Sequence, residues 1–157
     1  MRLPVVTLLM LYLLLCSCKK NTDAINSLFS KTDMLDAVNS IRNKGCRCGQ
    51  DTMPPAPAVT WNDTLQKAAD AHARDMYQRN YFSHITPEGT SPVQRVQAAG
   101  YTGQYVGENI ARGYNNITAV IAGWLSSEAH CKAMMDTLYV QMGAGRADTY
   151  WVQEFGR

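Results

Sequence analysis

The run Gln141-Met142-Gly143-Ala144-Gly145-Arg146, followed by Ala147-Asp148-Thr149 and then Tyr150-Trp151-Val152-Gln153-Glu154-Phe155, decides the fold class. It reads as two strands around a hairpin turn at residues 147–149. The small residues Gly143, Ala144 and Gly145 imply a backbone packed closely against another element. Upstream of this run, helical patterns dominate. Helices over the first two thirds and strands in the last third predict an α+β domain, with helices layered on an antiparallel sheet.

Working back from the hairpin, Ile117, Val120, Ile121, Trp124 and Leu125 share one face of a helix over about 116–126. Tyr105 to Ala111 is short and extended. Ser91-Pro92 opens another helix, with Val93, Val96 and Ala99 ahead of a stop at Gly100. The clearest helix follows Asn62, where Leu65, Ala68, Ala69, His72, Ala73 and Met76 form one continuous apolar face. Its position on that face makes His72 a core histidine rather than a ligand. Pro54, Pro55 and Pro57 make residues 46–60 an extended crossing. Ser30 and Asp33 start a first helix carrying Met34, Leu35, Val38 and Ile41, which Gly45 ends. Asn62 and Asn116 match glycosylation patterns, but both stand where helix caps are needed.

Three separate pieces carry chemistry: Phe82-Ser83-His84, Gly107-Glu108-Asn109-Ile110, and the run from Trp124 to His130. Two imidazoles and a carboxylate suit a divalent ion such as zinc, with His84 and His130 as ligands. Alternatively, Glu108 accepts from a ring N–H and sets the tautomer of a histidine. A hydrogen-bonded cluster that only organises a cleft is the third reading.

The chain has 157 residues and a formal charge of +2, enough for one domain and too little positive charge for a nucleic-acid footprint. Residues 1–17 read as an export signal: Arg2 gives the positive start, and Val5 to Leu15 an apolar run too short to span a bilayer. Leu15-Cys16-Ser17-Cys18 resembles a bacterial lipobox, which would make Cys18 a lipidated first residue and residues 18–30 a tether. Ordinary cleavage or an uncleaved helix is the alternative. In an oxidising compartment Cys131 must pair with Cys46 or Cys48, because those two are too close in sequence to bridge each other without strain. A cysteine zinc site is disfavoured by the single residue between Cys46 and Cys48.

Taken in order, Asn39-Ser40-Ile41-Arg42, Ala71 to Met76, Phe82-Ser83-His84, Gly107-Glu108-Asn109-Ile110, Trp124 with His130, and Tyr150 to Gly156 resemble a bacterial CAP domain. This superfamily, also called SCP or PR-1-like, comprises cysteine-rich secretory proteins, antigen 5 and pathogenesis-related 1 proteins. The resemblance covers roughly residues 33–156 and marks 31–157 as the CAP domain. It implies an α–β–α sandwich with helices on both faces of an antiparallel sheet. It also implies a cleft with two histidines and two acids. His84, Glu108 and His130 match three of the four. The fourth position falls on Ser127, so the adjacent Glu128 is expected to take that role, with Asn109 and Trp124 also at the cleft. A cysteine directly after the second histidine resembles a subgroup with a matching cysteine in the first loop, which implies a Cys48–Cys131 bridge.

The resemblance favours a non-catalytic binding module on the bacterial cell envelope. Such a module takes a small apolar ligand, a lipid or a peptide, and is held to a membrane through Cys18. The runner-up is a metal-dependent hydrolase or peptidase, with Glu108 or Glu128 as the catalytic acid. No nucleophile elbow and no zincin helix occur in the chain to support it. A structural envelope protein is the third possibility. The expected state is a monomer with no nucleic-acid partner.

Overall fold

The computed structural model describes residues 29–157. The export signal, the lipobox with Cys18 and nearly all of the tether lie outside the described residues. The elements are α1 (Lys31–Lys44), β1 (Cys46–Cys48), β2 (Asp51–Met53), β3 (Thr60–Trp61), α2 (Asp63–Arg79), α3 (Pro92–Ala98), β4 (Val106–Arg112), α4 (Ile117–Ser126), α5 (Glu128–Met135), β5 (Gln141–Ala147) and β6 (Tyr150–Gly156).

The main sheet has strand order β3-β5-β6-β4. Its three long strands are antiparallel, and the two-residue β3 adds a parallel edge beside β5. Side chains along β6 alternate between two cores, as strand geometry requires. Trp151 and Phe155 enter a cluster with Met34, Val38, Val120, Trp124 and Met134, so α1, α4 and α5 cover that face. Tyr150 and Val152 meet Ala69, Ala73 and Met76 of α2 on the other. The expected α+β sandwich, with helices on both faces of an antiparallel sheet, is what forms.

Local chemistry explains the helix starts. The Asn62 side chain accepts from the N–H groups of Thr64 and Leu65, and Asn116 from that of Ala119. Ser91 and Gln94 form a capping box around Pro92. All six apolar-face positions of α2 are buried, His72 among them. That face sits directly on β5. A side chain at Gly143 or Gly145 would collide with the α2 backbone at Leu65–Gln66 or Ala69–Asp70, so the small residues set the helix-to-sheet distance.

Neither α5 nor the β1–β2 hairpin is announced by periodicity. Within residues 46–60 the chain first turns back on itself, pairing Cys46 with Met53 and Cys48 with Asp51, and only then runs extended. On α3 only Val96 is buried, while Val93 is exposed. Among the described residues no helix is long and apolar enough to cross a membrane.

Candidate ligand cleft along the edge strand

With β4 at the rim of the sheet, residues from both faces meet along it. A hollow of about 590 Å³ opens there, lined by Phe82, Ile110, Tyr114, Trp124, Ser127 and His130. A slightly larger groove of about 690 Å³ lies between α1 and α4, away from both imidazoles of the three motifs. The smaller one is the candidate site, because it joins aromatic walls to an imidazole, His130, whereas the larger holds a single carboxylate, Asp33.

His84 stands on the loop before α3. Its Nδ1 is 2.7 Å from Glu108 Oε1, and the ring is half exposed while the carboxylate is buried. A buried carboxylate accepting from Nδ1–H leaves Nε2 free on the exposed side, the second-shell arrangement anticipated for Glu108. Arg95 of α3 completes the clamp. Its Nη1 donates to the carbonyls of His84 (2.8 Å) and Thr90 (3.0 Å), and its Nη2 pairs with Glu108 Oε2 at 2.5 Å. His72 Nε2 lies 3.0 Å from the carbonyl of Ser83, holding the same loop from below. Burial pushes the Glu108 carboxyl up, but hydrogen bonds from His84 and Glu154 and the charges of Arg95 and His72 outweigh it and hold it below its usual value.

Opposite Glu108 on the next strand is Glu154. It is fully buried, and neither oxygen has a hydrogen-bond partner of ordinary geometry. Burial, then the Glu108 charge, push its pKa well above the carboxylate range. Two carboxylates side by side in a low-dielectric site cannot both ionise, so one proton serves the pair and resides on Glu154.

His130 comes from the opposite face, on α5. Asn109 does not face the hollow; its Nδ2 donates to the His130 carbonyl and to Gln153 Oε1, each at 3.1 Å. It therefore ties α5 to the sheet. Burial, then the neighbouring His84, lower the His130 pKa and keep the ring neutral. Trp124 is buried, walls the hollow and donates from Nε1 to the Ile110 carbonyl at 3.3 Å. The C-terminus of α5 is held by Arg42, which is fully buried and donates to the carbonyls of Met134 (2.7 Å), Asp136 (3.0 Å) and Tyr139 (3.3 Å). Cys131, next to His130, is bonded to Cys48 of β1.

The expected role of Glu128 needs correcting. Its carboxylate receives Lys132 Nζ at 2.6 Å and presses on Gly49 in the hairpin turn. As the first residue of α5 it faces the hairpin, and the second acid beside Glu108 is Glu154 instead. Strand alternation placed Glu154 on the same face as Tyr150 and Val152, a signal present in the sequence. Arg95 gave no comparable signal.

Glu108 has no oxygen left to join His84 and His130 as a third ligand to a divalent metal. Both Glu108 oxygens are engaged, one by an arginine whose charge opposes a cation there. Among the described residues the one group of three potential ligand atoms lying within 4.8 Å of one another is Cys46, Cys48 and Cys131, two of which form the disulfide.

Comparison with known proteins gives one consistent answer. Residues 35–155 match the family model described as CAP, the cysteine-rich secretory protein family. The "Uncharacterized membrane protein YlbC" of Bacillus subtilis is 32% identical over 126 residues, covering 80% of this chain and 34% of that protein. The "Uncharacterized protein YkwD" of the same organism is 33% identical over 96 residues, covering 60% of this chain and 37% of that protein. The chain thus spans about a third of these relatives' length. An extracellular protein containing an SCP domain from Bacillus anthracis superposes with a TM-score of 0.72 at 30% identity, covering 80% of this chain and 39% of that one. An outer surface protein from Borrelia burgdorferi shares the fold, with a TM-score of 0.69 at 23% identity, covering 80% of this chain and 90% of that one.

Proposed function

Because the chain belongs to the CAP family of cysteine-rich secretory proteins, we propose that it is an exported binding module of the bacterial envelope whose cleft takes a small apolar ligand. One observation carries this reading: the walls beside β4 are mostly apolar and aromatic, while the nearby Glu108 carboxylate is already paired with His84 and Arg95. Phe82, Ile110, Tyr114 and Trp124 offer contact area to an acyl chain or an apolar side chain. The neutral His130 ring in the lining, and His84 Nε2 on the loop just outside it, remain to hydrogen-bond a polar end of the ligand, such as a carbonyl, hydroxyl or carboxyl. The described domain acts as a monomer, without nucleic acid, and Cys18 holds it to a membrane. The relatives named as an extracellular protein and a membrane protein support an envelope location.

The test compares the wild-type chain with Phe82→Ala and His84→Ala/His130→Ala, using a fluorescent fatty acid as the probe. Loss of one aromatic wall is expected to weaken binding about tenfold, equivalent to about 1.4 kcal/mol. Equal affinity in all three proteins would remove the cleft as the binding site. Turnover of peptide or ester substrates with added zinc, lost in the double variant, would establish the hydrolase reading in its place.

A further inference from the structure

Period-two alternation puts Cys46 and Cys48 on the same face of β1, with Arg47 turned to the opposite, solvent side. That face meets α5 at Cys131. The result is three sulfurs in one apolar niche lined by Ala56, Met135 and Ile41. Cys48 and Cys131 form the disulfide, which leaves Cys46 as the free thiol of the three. Its Sγ lies 3.6 Å from Cys131 Sγ and 3.8 Å from Cys48 Sγ, close to van der Waals contact with both. A thiol so placed is not an inert spare, because a neighbouring disulfide is its natural reaction partner.

We propose that Cys46, Cys48 and Cys131 form a thiol–disulfide exchange site, in which the bridge to Cys131 passes between Cys48 and Cys46. The Cys46 thiolate attacks Cys131 Sγ, the Cys46–Cys131 bond forms, the Cys48–Cys131 bond breaks, and Cys48 leaves as thiolate. One thiol and one disulfide stand on each side, so no external oxidant or reductant is consumed. The proton lost by Cys46 is returned to Cys48 through solvent. Cys46 is almost equidistant from the two sulfurs and therefore stands beside the bond, not on its axis. Its side chain must rotate onto that axis for displacement to occur. Attack on Cys48 instead would bridge two residues of one extended strand, whose Cα atoms lie about 6.6 Å apart, near the upper limit for a disulfide. Cys131 is accordingly the sulfur attacked. Each transfer moves the anchor of α5 by two residues along the hairpin, right beside His130.

Trypsin cleaves after Arg47, so the two candidate bridges give peptides of different mass, and the experiment can use the full chain. In Cys48→Ser a Cys46–Cys131 bridge is expected in place of the native one. Cys131 left reduced, or bridged only between two molecules, would overturn the proposal. Should that variant fail to fold, the wild type decides: native protein is incubated at mildly alkaline pH, trapped with a maleimide, quenched in acid and mapped. Label on buried Cys48, paired with a Cys46–Cys131 bridge and lost entirely in Cys46→Ser, is the expected result. If, of these three cysteines, Cys46 alone carries label in the wild type, exchange is overturned, whatever the variant does.

Discussion

The two imidazoles at the cleft are held in opposite ways. His84 is fixed by charge, through Glu108 and behind it Arg95, His72 and a protonated Glu154, all within a buried polar cluster on the α2–α3 side. His130 is fixed by main chain and covalent bonds, through Asn109 on its carbonyl, Arg42 on the end of its helix and the disulfide at its neighbour. One wall of the cleft is therefore sensitive to pH and ionic partners, and the other to packing and redox state. A ligand spanning both would couple two unrelated sources of rigidity.

The sharpest way to break this contrast is Arg42→Ala. It strands several buried carbonyls and opens space in the core, and is expected to cost about 3–5 kcal/mol in urea unfolding. Damage should start at α5, with His84 keeping its environment. Next comes Arg95→Ala, which leaves a buried carboxylate without its cation. A loss of about 2–3 kcal/mol is expected, less than the fully buried limit because Glu108 keeps His84 or takes up a proton. The His84 ring resonances should shift while those of His130 hold still; the reverse pattern would refute the division of labour.

The smallest effect is a pH slope. The Glu154 pKa is raised on folding, so above the ordinary glutamate value, about 4.3, the unfolded chain ionises first and stability falls as pH rises. Glu154→Gln should remove that slope and add about 1 kcal/mol at neutral pH. Glu108, His72 and His130 are held below their unfolded values. For the two histidines stability is lost as pH falls below about 6.5, and for Glu108 only in more acid solution, below about 4.3. Stability measured against pH in the wild type and Glu154→Gln separates these contributions. If the fall in stability above pH about 4.3 were unchanged in Glu154→Gln, the carboxyl pair would not share a proton.

Much of this was readable in the chain. The α2 face, the Asn and Ser caps, the β5–β6 hairpin and the close approach at Gly143 follow from short-range rules, because spacing and capping act within a few residues. The Glu108–His84 pairing was legible as one of three alternatives. What stayed hidden depends on tertiary pairing. Eight residues of α5, broken by His130 and Lys132, show little periodicity, and a three-residue strand such as Cys46–Cys48 has too short a pattern to declare itself. Glu128 misled because adjacency to the expected position says nothing about which way a first-turn side chain faces. Arg42 was within reach: it falls four residues after Val38 and eight after Met34, on the buried stripe of α1.

Every residue of β6 is buried, and the strand is paired on both sides along its whole length. It is also the last of the described elements to emerge during synthesis. Until β6 is made, β4 and β5 have no common neighbour and the helices on either side lack the middle strand of their floor. The domain therefore cannot close piecemeal, and a chain cut short before Tyr150 should be recognisable to quality control as an unfinished one.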